Sequence, residues 1–399
     1  MKVMSASAGD VLIVVQNLPV PFDRRVWMEA TTLARAGYKV SVICPKLKGF
    51  NKSRERLEDV EIYRYRMPFD PKSKIGFIGE YLWGLVRTGL LSIRVALTRG
   101  FDVIHACNPP ETYWALGLGW RLFGKRYIFD HHDLSPELYQ VKFPGEDGFM
   151  LRFLTFMEWA NFKVARTVIA PNESHKAIAI ERGGVHPDSV FVVRSGPSPE
   201  RFTRYEPEPS WKKGKKHLIA YLGEIGYQDG VDGMVRAIQI LRDRRDDFHA
   251  VFIGGGTFRE DVMTLADDLG VGDITTFTGV VSDDDLCRIL SSADVGVDPV
   301  PWNEWSTRST MNKIIEYMHF GLPVVGYDLI EAKVSGGDAG LFVDGGPAEL
   351  AAGIAELLDD EERRAAMGER ARRRFMEDLA WENSAPHLLA AYALATEGH

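Results

Sequence analysis

Short apolar runs separated by amphipathic stretches recur along almost the whole chain, and that alternation confines it to one class of architecture. Residues 11–15 (VLIVV) are a first run bare of charge. Residues 24–36 follow with Val26, Ala30, Leu33 and Ala34 at helical spacing; Asp23 stands where a cap is needed, and Gly37 ends the helix before the next strand, 39–44. Further runs stand at 102–106, 126–130, 167–170 and 189–194. A second set begins at 217–222 and continues at 248–253, 274–277, 294–298, 323–326 and 340–343. Strands this apolar, joined by helical crossovers, predict an α/β fold of parallel sheets covered on both faces.

The alternation breaks near 195–216, a stretch rich in proline and charge with no apolar period. It reads as a linker between two doubly wound domains, about 1–197 and 205–380, with a last helix at 382–396, within a tail 382–399, expected to pack back on the first. A chain of 399 residues can bury two full cores. Lys212, Lys213, Lys215 and Lys216 in the linker read as solvated charge, with an anion patch as the alternative. In such sheets ligands sit outside the carboxyl ends of the strands, so a cleft between the domains is the expected site.

Composition narrows the function. Lys plus Arg is 48 against 56 for Asp plus Glu, a net charge of −8. Coating nucleic acid by bulk charge is thereby excluded. Cys44, Cys107 and Cys287 are scattered, which fits neither a disulfide framework nor a zinc site. The first residues read as a strand rather than a signal peptide, and no uncharged run reaches the roughly 18 residues of a membrane span. A cytoplasmic protein is expected. Residues 75–97 form a wide apolar helix on which Glu80, Arg87 and Arg94 mark one polar stripe. It covers its own sheet or lies on the inner face of a membrane as a peripheral contact. Arg363, Arg364, Arg370 and Arg372 to Arg374 read as a solvated helix face.

The phosphate-binding motifs are mostly negative. The first strand is followed by QNLPVPFDRR, which lacks glycine, and Gly254-Gly255-Gly256-Thr257-Phe258-Arg259 has arginine where a dinucleotide fingerprint needs its third glycine. No Walker-type loop exists. The informative stretch is 306–326, STRSTMNKIIEYMHFGLPVVG. Ser309 or Thr310 can cap a helix running to about Phe320, with Gly321 ending it and Pro323 opening a strand. Arg308 precedes that helix and Lys313 lies in its first turn, where cations oppose the helix dipole unless an anion sits between. Free backbone N–H groups with Arg308 and Lys313 suit a diphosphate. Glu316 shares a face with Lys313 and can accept from two adjacent hydroxyls. A plain Lys–Glu surface pair is the alternative.

RSTMNKIIEYMHFGLPVV resembles the signature of the retaining glycosyltransferases of family four, which have the GT-B fold of two Rossmann-like domains facing across a cleft. PFDRRVWMEATTLARAGYKVSVICP, FDVIHACNPPE, YIFDHHDLSPELY, YLGEIGYQDGVDGMVRAIQIL, FHAVFIGGGTFREDVMTLADDLGV and FTGVVSDDDLCRILSSADVGVDP follow in the family's order. The resemblance implies an acceptor-side domain over 1–197 and a nucleotide-sugar-binding domain over 205–380. It matches Glu316 to the second motif glutamate, which holds the nucleotide ribose. Arg308 stands in place of the first glutamate, and Ser309-Thr310-Met311 replaces Gly-Phe-Gly before Asn312. The pattern is that of a bacterial subgroup for envelope or exopolysaccharide sugars or glycosylated small molecules.

The resemblance further matches His132 to a histidine beside the transferred sugar, in preference to His131; Asp133 either orients the imidazole or caps the turn. Asp23, Arg24 and Arg25 open the first helix, either approaching the diphosphate or acceptor or serving as an N-cap with two solvated arginines. Gly223 and Gly226 resemble the loop that approaches phosphate. Gly254 to Gly256 either admit the nucleoside or make a tight turn, and Thr278-Gly279-Val280-Val281 resembles the base-contacting segment. Asp283-Asp284-Asp285 reads as helix capping, not as a metal clamp.

What is expected, then, is a metal-independent retaining hexosyltransferase with no cofactor. It takes a UDP- or GDP-sugar as donor and a glycan, lipid-linked or small-molecule acceptor. Lys313 and Arg308 stabilise the leaving diphosphate, so Lys313→Ala is expected to abolish transfer with the fold intact. A nucleotide-sugar epimerase or hydrolase, or a catalytically silent sugar-nucleotide-binding protein, are the alternatives.

Overall fold

The structure is a computed structural model that describes residues 9–47, 49–68, 74–145 and 148–397. The chain divides into two compact units, residues up to 194 with 384 onward, and residues 195–383.

The first unit carries an eight-stranded sheet of β1 (Asp10–Val14), β2 (Lys39–Pro45), β3 (Arg54–Leu57), β4 (Val60–Tyr65), β5 (Val103–Cys107), β6 (Arg126–Asp130), β7 (Thr167–Ala170) and β8 (Val190–Val192). Its order is β3-β4-β2-β1-β5-β6-β7-β8, and only β3 runs antiparallel, against β4. Its helices are α1 (Arg24–Arg35), α2 (Lys74–Thr98), α3 (Trp114–Arg121), α4 (Ser135–Lys142), α5 (Phe149–Val164) and α6 (Glu173–Glu181). The β3–β4 ribbon was not expected from the sequence. Its strands carry charges at Arg54, Glu55, Arg56, Glu61 and Arg64, and the turn between them places Glu58 and Asp59 at φ 42° and 66°, left-handed conformations that Asp tolerates better than most residues.

The second unit has a six-stranded parallel sheet, β9 (His217–Leu222), β10 (Phe248–Ile253), β11 (Thr275–Gly279), β12 (Val295–Asp298), β13 (Val324–Tyr327) and β14 (Gly340–Val343), in the order β11-β10-β9-β12-β13-β14. Its helices are α7 (Val231–Arg242), α8 (Arg259–Asp268), α9 (Asp283–Ser292), α10 (Asn312–Phe320), α11 (Ile330–Gly336), α12 (Pro347–Asp359) and α13 (Glu361–Arg374), and α14 (Trp381–Thr396) closes the chain. Fully buried aliphatic and aromatic side chains cover both faces of this sheet, Ile314, Ile315 and Met318 on one side and Val235, Ile238 and Leu350 on the other.

The arginines of α13 are only in part a solvated face: Arg372 and Arg373 are exposed, but three of the set bind neighbouring helices. Arg364 donates to the carbonyls of Leu357 and Leu358 at the end of α12, Arg372 to that of His319 in α10, and Arg374 to those of Val334 and Ser335 in α11. Each cation thus satisfies carbonyls that a helix C-terminus leaves open. In the linker, Lys212 is paired with Asp294 at 2.9 Å rather than forming an anion patch.

Strand order reverses beside β1 in the first sheet and beside β9 in the second. Ligands of doubly wound sheets bind at such points, past the carboxyl ends of the strands.

Candidate functional site

In the first unit the reversal point is built around Asp130, the last residue of β6, which is fully buried. Arg25 grips it with Nε to Oδ2 at 3.0 Å and Nη2 to Oδ1 at 2.7 Å, and its Nη1 donates to the Val193 carbonyl at 2.8 Å. His132 Nδ1 lies 3.0 Å from Asp130 Oδ2. A carboxylate only accepts, so Nδ1 carries the proton and Nε2 is left as the ring's second nitrogen. Burial alone would raise the Asp130 pKa; the charges of Arg25 and His132 outweigh it and hold the carboxyl well below the usual range. Burial pulls the His132 pKa down, and the adjacent Asp130 more than reverses this.

Behind Asp130 stand Glu29 and His105, both fully buried. Burial, then the Asp130 charge, push the Glu29 pKa well up. Burial lowers that of His105, whose Nδ1 sits 2.7 Å from the Tyr392 hydroxyl. The loop after β6 is pinned by Asn108, whose Oδ1 accepts from the amides of His132 and Asp133 at 2.9 and 3.1 Å. Glu29, His105, Cys107 and Asp130 present ligand atoms within 4.8 Å of one another, but Arg25 already sets positive charge against both carboxylates, which opposes a cation there.

The histidine pair yields a pH test. With its folded pKa raised, His132 contributes stability in full below the unfolded value of about 6.5 and loses it as pH rises through the folded value. The stability gap between the natural protein and His132→Ala is therefore expected to narrow between about pH 6 and about pH 9. Urea unfolding at both pH values reads this, and a constant gap rejects the pairing.

In the second unit the reversal point holds Lys313, the second residue of α10, with its side chain buried. Its Nζ lies 3.2 Å from Oδ1 of Asp298, the last residue of β12, and 5.2 Å from the ring centroid of Tyr221. Burial would lower the Lys313 pKa, but Asp298 and then Asp229 raise it, so the ammonium keeps its charge. The anion that the helix dipole requires is thus supplied by the protein. Burial raises the pKa of Asp229, offset in part by Lys313; its carboxylate accepts from the Gly226 amide at 3.0 Å. Gly223 has φ +149°, and a Cβ there would stand 3.1 Å from the Lys313 Cε.

Gly254 and Gly256 are explained by the chain itself. A Cβ on Gly254 would lie 1.8 Å from the Gly223 carbonyl oxygen, and one on Gly256 2.2 Å from that of Ile225. The two loops are also tied by Ile225 N to Gly255 O at 2.8 Å. The close approach is loop on loop. Thr278 spends its hydroxyl on the Gly279 carbonyl at 2.9 Å, while Val280 is exposed.

The cap of α10 differs from expectation. Met311, not Ser309 or Thr310, precedes the helix, and it makes no side-chain cap. Ser309 lies two residues before the cap position, and its hydroxyl donates to the Trp305 carbonyl at 2.7 Å, closing the turn before it. Arg308 lies in that turn, half-exposed and 2.9 Å from Glu304. Asn312 is exposed at the first helical position, and Glu316 is half-buried one turn beyond Lys313. Ser282 caps α9, and the three aspartates of its first turn are taken up by Arg201, Arg288 and Ser282.

Among the residues opening α1, Asp23 is the N-cap, accepting from Val26 N at 3.1 Å. Arg24 is half-buried. Arg25 is no solvated arginine; it is the clamp on Asp130. His131 is fully buried, 3.0 Å from Glu158. The residues sequence reasoning missed are Asn108, Asp130, Asp229 and Asp298; Arg25 it singled out, but not as the partner of Asp130. The signal for both Asp130 and Asp298 was a lone acid closing an otherwise apolar strand.

Residues 204–374 match the family model described as glycosyl transferases group 1, and residues 23–201 the model described as glycosyltransferase family 4. A GDP-mannose-dependent alpha-(1-6)-phosphatidylinositol monomannoside mannosyltransferase of Mycobacterium tuberculosis is 31% identical over 212 residues, which are 51% of this chain and 53% of that protein. The match thus spans about half the length of that relative. The 2-deoxystreptamine glucosyltransferase of Streptomyces kanamyceticus is 26% identical over 82% of this chain and 87% of its own. Among solved structures, sucrose-phosphate synthase from Thermosynechococcus elongatus superposes with a TM-score of 0.77 at 19% identity, covering 96% of this chain and 98% of that one, a likeness in fold. With both units matched in turn and their sheets wound as described, the chain belongs to the family 4, group 1 glycosyltransferases of the GT-B fold.

Proposed function

We propose that the protein transfers a sugar from a UDP- or GDP-sugar to an acceptor hydroxyl, with retention of configuration and without a metal. The observation that carries this reading is the buried Lys313 ammonium against Gly223, at the switch point of the second sheet. The diphosphate is assigned to Lys313, Arg308 and the amides at the start of α10 (Ser309 to Asn312), with Gly223 and Gly226 alongside. The base is assigned to the Thr278–Val280 segment and the ribose to Glu316. The bond from the anomeric carbon to the phosphate oxygen breaks as the bond to the acceptor oxygen forms on the same face. The leaving phosphate oxygen takes the acceptor proton, so no nucleophilic carboxylate is required. His132, oriented by Asp130, hydrogen-bonds the transferred sugar, and Asp23 and Arg24 lie on the acceptor side. The acceptor is a glycan, a lipid-linked sugar or a small molecule met on the cytoplasmic side of a membrane.

Screening uridine and guanosine diphosphates by thermal shift tests the nucleotide assignment, since a bound ligand raises the melting temperature. For Glu316→Ala, a loss of nucleotide affinity of about tenfold, the cost of one charge-assisted hydrogen bond, is expected by calorimetry; unchanged affinity sinks the ribose assignment. The pairing of Lys313 with Asp298 and of Arg308 with Glu304 favours a second reading, a sugar-nucleotide-binding protein without turnover. Donor binding with no transfer to any acceptor supports it, and rapid conversion of donor alone supports an epimerase or hydrolase.

A further inference from the structure

Of the twenty-one exposed large apolar side chains among the described residues, twelve lie on three helices of the first unit. On α2 they are Leu82, Val86, Leu90, Ile93 and Leu97, a single stripe at helical spacing, while Thr88, Ser92 and Val95 on the opposite side are fully buried. On α3 and its end they are Leu118, Leu122 and Phe123, and on α5 Phe149, Phe153, Phe156 and Trp159. These faces adjoin. Trp120 of α3 donates to Ser92 of α2 at 2.9 Å, and Trp114 of α3 meets Phe156 of α5 with ring centroids 6.5 Å apart. An apolar patch built from three helices exceeds what a soluble surface ordinarily shows and marks a contact with something else.

Its charge says with what. The chain carries a net −8, yet residues 74–99, 114–125 and 149–164 contain only two acids, Glu80, half-buried near the start of α2, and Glu158, which is buried against His131 and Arg182. Arg94, Arg121, Arg152 and Lys163 are exposed on the same helices, and the Lys163 ammonium stands 5.8 Å from the Trp159 ring centroid. Glu146 and Asp147, just before α5, lie outside the described residues. No helix among the described residues is long and apolar enough to cross a membrane. Aromatic and aliphatic side chains ringed by cations, on helices that do not span, have the chemistry of a surface lying in the headgroup layer. We propose that the outer faces of α2, α3 and α5 together dock the protein on an anionic lipid bilayer. The surface extends well beyond the helix at 75–97 that the sequence singles out, and it does not depend on the transfer reaction proposed above.

Flotation of the full chain with vesicles tests this. The natural protein is expected to float with phosphatidylglycerol-containing vesicles, weakly with phosphatidylcholine alone, and less at high salt. Arg152→Glu with Lys163→Glu should weaken the first binding at least about tenfold, and Phe153→Ser with Phe156→Ser should weaken it comparably, both with unchanged circular dichroism. No flotation with anionic vesicles, or equal flotation of natural protein and variants, overturns the proposal. So does a concentration-dependent dimer abolished by the phenylalanine variant while vesicle binding is absent, because the face then covers a second copy.

Discussion

Lys313→Ala is expected to lower turnover by about 10²–10³-fold, the loss seen when one preorganised donor is removed from where charge develops in a transition state. The structure revises the other half of the sequence expectation, that the fold survives untouched. Removing the ammonium leaves Asp298 buried and unpaired, and an uncompensated buried carboxylate costs about 3–5 kcal/mol. The single variant is therefore expected to melt early as well as turn over slowly. Lys313→Met combined with Asp298→Asn removes both charges and should recover most of the stability, because a buried pair replaced whole is often neutral. Turnover should stay low. A double variant that regains both stability and turnover would show that Lys313 serves the fold alone.

Arg25→Ala carries the second large effect. It strips Asp130 of both guanidinium bonds and takes the cation from beside Glu29. A loss of about 3–5 kcal/mol is expected from the uncompensated carboxylate. Arg25→Lys should restore only part of it, since an ammonium cannot hold two oxygens and the Val193 carbonyl in one planar fork. Thermal unfolding midpoints of the two variants provide the measure. A shift corresponding to less than about 1 kcal/mol in Arg25→Ala, the scale of an exposed pair, would mean that Asp130 does not need its clamp.

Twelve of the strands were legible, most of them as short runs apolar enough to be buried on both faces, while the edge strands β11 and β14 are only half-buried. The β3–β4 ribbon was not, since RERL and VEIYRY intersperse charges that are satisfied only once Arg54 meets Glu61 and Arg64 meets Glu55 in the folded sheet. At the sites, glycines and the Lys313 segment stood out through spacing, whereas the groups that charge-balance them did not. Asp130 and Asp298 are the last residues of their strands, and their partners come from α1, more than a hundred residues away in one case, and from α10 in the other. Such pairings are products of topology, which a linear reading does not contain. Arg24 and Arg25 show the same limit. Adjacent and identical in type, they differ only in which way the first turn of α1 points them, inward for Arg25.

The helix α14 belongs to the second unit over its first three residues and to the first unit thereafter. The hydroxyl of Tyr392 on that later stretch reaches His105, 287 positions upstream, directly behind Asp130. Trimming the molecule at residue 384 would thus do more than shorten an appendage. It would open a void beside the very imidazole and carboxylates that orient His132, and damage far along the polypeptide would register as a misaligned His132 ring.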